Sequence, residues 1–256
     1  ATGNANFGYT TSTPYGNAGT KIDRIEYAND TATAVTKGNL NTPGYMRGAT
    51  GSADFGYIGG GIPSYTNVER IDYSNDTATA AAKGNLSIGT RSMSPFSAQE
   101  HGLQNLNYIP RIRWVDSATE APATSGTTAG PNTGYWAGGF SGGGKSYVDR
   151  VDFDNDTATA VTKGPLTHNT WDGGMTGDSS YGRNGAGQDQ ASGNYITTVD
   201  RIDYSNDTPT ATPKGPLSVA RRGLGATGNL SYGYFWTGYS SSIVDRIDYS
   251  NDTATA

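Results

Sequence analysis

The chain has 256 residues, 18 of them basic and 23 acidic, a formal net charge of −5 and no cysteine. No run of basic residues is present, which argues against a nucleic-acid partner, and the lack of cysteine excludes disulfides and zinc–thiolate sites. No apolar run approaches the ~18 residues of a membrane span, so we expect no membrane insertion. Residues 1–4 show no signal-peptide features, and the first residue is not Met, which suggests a processed chain or a fragment.

In chain order, the same four predicted strands recur. The first is built of small residues, the second is aromatic, the third is charged and the fourth is rich in Thr. In the last unit they fall at residues 223–228, 232–236, 244–249 and 253–256. An arginine in the third strand marks each of six units at intervals of roughly 40 to 50 residues, a period typical of repeat architectures. These arginines are Arg24, Arg70, Arg111, Arg150, Arg201 and Arg246.

Short strands, abundant glycine and a period of this size predict an all-β, six-bladed β-propeller with four antiparallel strands per blade. An open solenoid is the alternative, but the chain shows no distinct capping repeats. The small-residue strand, near Thr128 in the fourth unit, is expected to be innermost. Because the chain starts in a first strand and stops in a fourth, closure is expected to depend on the first blade packing against the sixth. The predicted blades of this single domain are residues 1–40, 41–86, 87–121, 122–166, 167–217 and 218–256.

The order of these segments resembles the kelch repeat. A small-residue strand is followed by an aromatic strand ending in Gly-Gly, as at residues 57–60 and 135–139, and then by Val-Asp-Arg-Ile-Asp-Tyr. Residues 217–221 are similar to the kelch Pro-x-x-Arg segment. The sequence Asp-Arg-Ile-Asp-Tyr-Ser-Asn-Asp-Thr-Ala-Thr-Ala resembles kelch-like repeats in virion proteins of tailed bacteriophages, especially marine ones. One departure is that Ala254 and Thr255 stand where kelch blades usually have Trp in the outer strand.

The arginine of each unit is flanked by acidic residues. We interpret this trio as structural, each arginine joining neighbouring strands or blades through a charge-assisted pair, since an active site is normally single and five of the units carry the trio. The alternative is a catalytic or ligand site. A calcium loop at residues 248–252 is less well supported than a turn, because the spacing lacks the required Gly and Glu. The third unit has Pro110 and Arg113 in place of the acids and should be the weakest. The structural charges are Arg24, Arg70, Arg150, Arg201 and Arg246, with Asp72, Asp152, Asp203 and Asp248.

Residues for catalysis are sparse. The two histidines, His101 and His168, lie in different units without spaced partners, so neither a metal site nor a catalytic triad is predicted. The glycine runs follow strands and open no helix, which marks them as turns and not phosphate loops. We therefore predict no catalytic residues, no metal and no cofactor, although a glycosidase-like carboxylate pair remains an alternative.

The repeats differ most in the loops of one face. The fifth residue after the conserved leucine of each connector varies, and the longest loop spans residues 185–195. Loops on a rigid scaffold often carry binding, and Tyr, Trp and Arg are common interface anchors. The alternative is that the connector sequences vary because no function constrains them. The predicted binding residues are Tyr45, Arg91, Trp171, Arg222, Gln188 and Tyr195.

Together these features predict a non-enzymatic structural or adhesive propeller of a virus particle, such as a tail fibre or surface decoration. Its expected location is the virion or the extracellular space. Its expected partners are other virion proteins or a host-surface glycan or protein, and it could also form a homo-oligomer. A free-standing carbohydrate-binding lectin is the alternative, and a hydrolase on a propeller is a third class.

Overall fold

The computed structural model describes residues 1–11, 18–98, 132–239 and 241–256. This part of the chain is all-β, with short antiparallel strands and three single-turn 3-10 helices at Tyr27–Asn29, Tyr73–Asn75 and Tyr249–Asn251. Within the same residues, no helix has the length and apolar character needed to cross a membrane. Glycine, tyrosine and β-branched residues in short alternating runs account for this composition of elements, since they favour strands and tight turns.

The described residues form five main sheets and one small ribbon. Sheet 1 contains Thr2–Gly3, Phe7–Thr11, Gly19–Glu26 and Val35–Gly44. Sheet 2 contains Gly48–Gly51, Phe55–Gly59, Val68–Asp72 and Ala81–Ala82. Sheet 3 contains Ser94–Ala98, Thr133–Ala137, Val148–Asp152 and Val161–Thr162. Sheet 4 contains Gly174–Gly177, Tyr181–Gly185, Val199–Asp203 and Thr212–Lys214. Sheet 5 contains Gly225–Gly228, Tyr232–Trp236 and Val244–Asp248, and the ribbon pairs Thr170–Trp171 with Gln188–Asp189.

Sheet 3 differs from the prediction in its first strand. We expected that strand near Thr128, but Ser94–Ala98 pairs in full register with Thr133–Ala137. Sheets 2 and 3 are in direct contact, since the N–H of Gly84 donates to the carbonyl of Asp156 at 2.8 Å. Among the described residues no separate unit lies between them, where the blade predicted at residues 87–121 was expected. The degenerate copy, with Arg111, falls in 99–131, outside the described residues.

The fourth strand also lies further along the chain than predicted. We expected it at the Thr-Ala-Thr-Ala segment, yet in sheets 1 to 4 the strand begins after that segment. The segment instead contacts the preceding sheet, where for example the N–H of Ala160 donates to the carbonyl of Asn85 at 2.7 Å. Residues 253–256 make the same kind of contact, Ala256 donating to Pro216 at 3.0 Å. Sheet 5 therefore has three strands, and residues 253–256 are not its fourth.

Successive sheets pack through stacked rings. Tyr57 of sheet 2 lies on Phe153 after sheet 3, with centroids 4.4 Å apart and nearly parallel planes. The same position holds Tyr9 on Tyr73 and Tyr135 on Tyr204, at 4.9 and 5.1 Å. Such pairs add roughly 0.5–1.5 kcal/mol beyond the burial of their surface. Aromatic packing between sheets thus supplies much of the core that the low aliphatic content could not.

Each boundary between sheets also holds one buried carboxylate, in an arrangement we call the charged joint. At the boundary of sheets 2 and 3, Asp156 Oδ2 accepts hydrogen bonds from Tyr57 Oη at 2.8 Å and Arg70 Nη1 at 2.7 Å. Lys83 Nζ lies 3.1 Å from Asp156 Oδ1. Burial raises the pKa of Asp156, but the hydrogen bonds and the neighbouring cations lower it by more. The net pKa therefore lies below its ordinary value. The carboxylate is thus held ionised inside the structure.

The charged joint recurs at each of the four boundaries between successive sheets. Arg24, Arg150 and Arg201 reach Asp76, Asp207 and Asp252 at 2.7, 2.7 and 3.1 Å. The acids flanking the arginines in sequence have another role. Asp72, Asp203 and Asp248 each accept a hydrogen bond from the serine two residues later, and Asp152 accepts one from Asp154 N. Arg246 and Asp30, which occupy the joint positions of sheets 5 and 1, have no ion-pair partner among the described residues.

We expect Asp156→Asn to lower the free energy of unfolding by about 2 kcal/mol, because it leaves Arg70 and Lys83 facing a neutral amide in a mostly buried site. Urea unfolding followed by circular dichroism measures the change. Asp72→Asn is the matched control, since asparagine caps a turn about as well as aspartate and the site is not in the joint. Equal losses in the two variants would contradict a special role of the joint.

Candidate binding face

The connectors between sheets pair with the loops that follow the second strands. Tyr45 forms an antiparallel bridge with Ile62, and Arg91 forms one with Phe140. Trp171 is paired with Gln188 in the ribbon, and Tyr239 N donates to the carbonyl of Arg222 at 2.8 Å. The predicted residues Tyr45, Arg91, Trp171 and Arg222 therefore occupy one equivalent position in four successive connectors.

A belt of backbone hydrogen bonds joins these four positions. The residue after each has a left-handed backbone, with φ of 56° at Met46, 52° at Ser92, 58° at Asp172 and 66° at Gly223. Ser92 N donates to Met46 O at 3.1 Å, Asp172 N to Ser92 O at 3.1 Å, and Gly223 N to Asp172 O at 2.7 Å. A left-handed conformation is costly for three of the four. The hydrogen bonds of the belt stabilise this left-handed conformation. They also fix the connectors relative to one another.

Side chains next to the belt form a continuous surface across sheets 3 to 5. The Arg91 guanidinium lies 4.7 Å from the Phe140 ring centroid, and Phe140 meets Trp171 edge-on at 5.3 Å. Further along, Arg222 Nη1 donates to Gln188 Oε1. We call this surface the aromatic–arginine strip, and its members are Arg91, Phe140, Trp171, Gln188, Tyr195, Arg222 and Tyr239.

Arg222 is the centre of the far end of the strip. Its guanidinium lies 5.4 Å from the ring of Tyr195 and 5.6 Å from that of Tyr239. The two tyrosine rings meet edge-on at 6.3 Å, and Tyr239 is 63% exposed. Cation–π contacts of this kind hold an arginine in place while leaving its other N–H groups available to a ligand. The arrangement offers flat apolar faces edged by hydrogen-bond donors.

The long loop of the strip is shaped by a buried aspartate. Asp189 accepts hydrogen bonds from the N–H and the hydroxyl of Ser192, at 2.9 and 2.7 Å. Burial raises the pKa of Asp189, and these hydrogen bonds more than offset that, so the net pKa lies below its ordinary value. Gln188 Nε2 also donates to the carbonyl of Gly193 at 2.9 Å. The loop is therefore closed on itself, which presents Tyr195 beside Arg222 without requiring the loop to order on binding.

Sequence reasoning missed two members of the strip, Phe140 and Tyr239. A signal for both was present, since each directly follows a glycine that lies two positions after the end of the second strand, as Ile62 and Gln188 do. Tyr45 occupies the equivalent position in the connector between sheets 1 and 2, where it lies opposite Ile62 and directly before the belt residue Met46. The strip as the contacts define it therefore covers five of the six predicted binding residues and adds two.

Buried carboxylates near the strands repeat from sheet to sheet. Burial raises the pKa of Asp200, with hydrogen bonds from Thr167 acting in the opposite direction. Like Asp200 with Thr167, Asp149 and Asp245 accept hydrogen bonds from a connector residue. The donors are the backbone N–H groups of Ser87 and Ser218, at 2.8 and 3.2 Å. Repetition argues for a connector-anchoring role, since a catalytic acid is normally unique. Within the described ranges, no cluster of three or more His, Asp or Glu side chains could hold a metal.

No protein-family model matches the sequence, and no curated protein matches it. Solved structures do resemble the fold. One, titled "Structure of YjhT", has a TM-score of 0.64 and 10% sequence identity, over 91% of this chain and 69% of that chain. At this level of identity the likeness concerns the fold alone, and that fold is β-propeller-like. The five-sheet arrangement and the propeller-like neighbour agree on an all-β chain built from repeated antiparallel sheets.

Proposed function

We propose that this chain is a non-enzymatic adhesive or structural part of a virus particle, and that it binds through the aromatic–arginine strip. The observation that carries the binding role is the continuity of the strip, in which three connectors and three loops contribute to one surface. If the connector sequences had varied without constraint, we would not expect Arg91, Trp171 and Arg222 to lie in register and to be linked by ring and hydrogen-bond contacts.

The proposed ligand is a host-surface glycan or protein, or another virion protein. Flat rings edged by arginine and glutamine suit the apolar face and hydroxyl groups of a sugar, and they suit a protein surface equally well. Arginine and aromatic residues in a rigid setting are also the residues that most often dominate interfaces. The virion assignment itself is supported by the resemblance to phage kelch-like repeats, and copy number on a particle would add avidity.

We further propose that the sheets belong to a closed, six-bladed, kelch-like propeller, in which the sixth blade would lie between sheets 5 and 1, since sheets 1 to 5 follow one another directly. Support comes from the repeated charged joint and belt, which give each sheet the same relation to the next. Class averages of the protein by electron microscopy, viewed down the axis, give the number of blades directly. Six blades are the expected result, and five blades or an open arc would contradict the proposal.

Trp171→Ala combined with Arg222→Ala is expected to weaken ligand capture by about 2 kcal/mol or more, roughly thirtyfold in Kd, because both anchors of the strip are lost. Capture of host-cell surface material and of immobilised glycans is measured with the folded variant. Leu230→Ala is the control, because Leu230 is 54% exposed in the turn between the first two strands of sheet 5, away from the connectors. Unaltered capture by the folded double variant would remove the proposal.

A free-standing lectin is the second candidate, favoured by the edge-on pair of Phe140 and Trp171 beside polar groups. Mass spectrometry of purified particles separates the two, since only a virion component is present there. The non-enzymatic assignment is supported by the acids of the repeat, which are engaged in joints, turns and connector anchors. Turnover of a bound glycan by the wild-type protein would contradict it.

A further inference from the structure

The two arginines of the aromatic–arginine strip lack the carboxylate partner that most other arginines have. In the described part of the chain, seven arginines form an ion pair with a carboxylate, at N···O distances of 2.7 to 3.6 Å. Arg91 and Arg222 form none, and Arg246, outside the strip, is the one other arginine of these residues without such a pair. The strip therefore carries two positive charges that no acidic side chain of the described residues neutralises directly.

Aromatic rings hold these two guanidinium groups in place. That of Arg91 lies 4.7 Å from the Phe140 ring centroid. That of Arg222 lies 5.4 Å from the ring of Tyr195 and 5.6 Å from that of Tyr239, and it donates one N–H to a glutamine amide. Both arginines are half-buried, and a ring face does not occupy the remaining N–H donors. The edges of both groups are thus available to an anion, which a guanidinium group binds with two parallel hydrogen bonds.

Many of the acids that make the chain negative lie far from the strip. Those that cap turns, such as Asp72 and Asp248, end the third strands, whereas the strip lies beyond the residues at which these strands begin. The five residues of Val244–Asp248 span about 13 Å, which exceeds the screening length of about 8 Å at physiological ionic strength. The formal charge of −5 therefore does not prevent an anion from binding at the strip, and it disfavours unspecific binding of polyanions elsewhere.

Two carboxylates do lie beside the strip. Asp189 is 6% exposed and accepts two hydrogen bonds from Ser192, so its charge is already stabilised inside the loop. Asp172, in the belt, is half-buried and forms no ion pair among the described residues. It lies in the connector between those of Arg91 and Arg222, so we expect its negative charge to weaken the binding of an anion there.

The two guanidinium groups belong to separate positions along the strip. The belt joins neighbouring connectors by backbone hydrogen bonds, a spacing of about 5 Å per step, so the backbones at Arg91 and Arg222 lie about 10 Å apart. Trp171 is in the connector between them and meets Phe140 edge-on at 5.3 Å. A cation, an apolar ring and a second cation therefore follow one another across three connectors.

We propose that the strip binds an acidic polysaccharide, whose carboxylate or sulfate groups pair with Arg91 and Arg222 while a sugar face lies on Trp171. An acidic peptide would satisfy the arginines, but it lacks the flat apolar faces that a chain of sugar rings presents to the tryptophan. This inference rests on the proposed function, because it names the class of ligand for the same surface.

The test compares acidic polysaccharides with neutral ones of the same backbone. The probes are polygalacturonate with its methyl ester, and dextran sulfate with dextran, and biolayer interferometry measures their binding to the intact protein. We expect saturable binding of at least one acidic polymer and binding of its neutral partner that is weaker by about tenfold or more, because charge-assisted hydrogen bonds are lost. Higher salt should weaken the binding of the acidic polymer.

Three variants test the individual charges. Arg91→Gln and Arg222→Gln should each weaken the binding of the acidic polymer by about tenfold. Asp172→Asn should strengthen it by about threefold, because a repulsive charge is removed and asparagine tolerates the left-handed backbone. Arg246→Gln is the matched control, since Arg246 also lacks an ion pair and lies 4.7 Å from the ring centroid of Tyr232, and it should leave binding unchanged. Circular dichroism checks that every variant is folded.

Several outcomes would overturn the inference. Equal binding of the acidic polymers and their neutral partners, or binding of neither acidic polymer, would do so, although capture of host-surface material that depends on Trp171 and Arg222 would still support the proposed function. Polyglutamate that binds as tightly as the acidic polysaccharides would identify an acidic protein segment as the ligand instead. Unchanged binding in both arginine variants, or weaker binding in Asp172→Asn, would contradict the pairing with an anion.

Discussion

Gly84→Ala is expected to lower the free energy of unfolding by about 3 kcal/mol or to prevent folding. A Cβ atom on Gly84 would lie 1.6 Å from the carbonyl oxygen of Ala158, which is backbone of the next sheet and cannot rotate away. The glycine N–H also donates to the carbonyl of Asp156 at 2.8 Å, so neither strand can retreat without breaking the joint. Overpacking of a closed site typically costs about 1–3 kcal/mol, and more where backbone must move.

The same contact recurs in the other joints, which allows an internal check. Ideal Cβ positions lie 1.7 to 1.9 Å from the opposing carbonyl at three further glycines. Gly142→Ala is the control, since nothing lies within 4 Å of its Cβ position and an alanine there is strained only by the positive φ. Urea unfolding compares the variants. A loss for Gly84→Ala no larger than that for Gly142→Ala would show that the sheets separate easily. The three glycines are Gly38, Gly164 and Gly215.

The recurring arginine could be recognised from the sequence, but its partner could not. Arg24 pairs with Asp76, 52 residues away, whereas the acids that sequence reasoning assigned to the trio lie within two positions. The sequence predicts only a turn at Asp252, which is the equivalent of Asp76 in the last unit. A side chain's partner in the next repeat depends on how sheets stack, and periodicity within one repeat carries no information about that. The constant Lys-Gly-x-Leu segment holds the missing signal, since a glycine in every copy indicates close backbone approach.

The variable connector positions were predictable for a different reason. Tyr45, Arg91, Trp171 and Arg222 could be aligned by counting from a buried leucine, because the connector length is fixed by the belt that follows it. The first strand of sheet 3 could not be found this way. Ser94–Ala98 is separated from its neighbour Thr133–Ala137 by a long insertion, and the small-residue pattern near Thr128 gave a competing choice. Strand pairing over such a distance is set by packing and not by local pattern.

Raising the pH is expected to unfold the protein cooperatively between about pH 10 and 12. Burial raises the pKa of the Tyr249 hydroxyl to about 12 from its ordinary value of 10.0. Burial also raises the pKa of Tyr57 and Tyr135, and hydrogen bonds and charge from Asp156 and Asp207 act in the same direction. The pKa values of Tyr9, Tyr73 and Tyr204 are raised too, and burial is the largest cause.

The sign follows from which state holds the proton. A tyrosine whose pKa is higher in the folded state contributes its stability fully below pH 10 and loses it as the pH rises toward the folded value. Each such group costs about 1.4 kcal/mol per pH unit above pH 10, so six together exceed the stability of an ordinary domain within about two units. Circular dichroism and tyrosinate absorbance, recorded against pH, should therefore change together.

Two substitutions distinguish this mechanism from general alkaline damage. Tyr73→Phe removes a buried hydroxyl and should make the pH dependence of unfolding shallower by one proton, whereas Tyr239→Phe, at a 63% exposed site, should leave it unchanged. Tyrosinate absorbance that rises fully near pH 10 while the sheet signal persists would contradict the expectation. It would mean that the rings between the sheets are open to hydroxide, and that the aromatic stacks do not seal the boundaries they join.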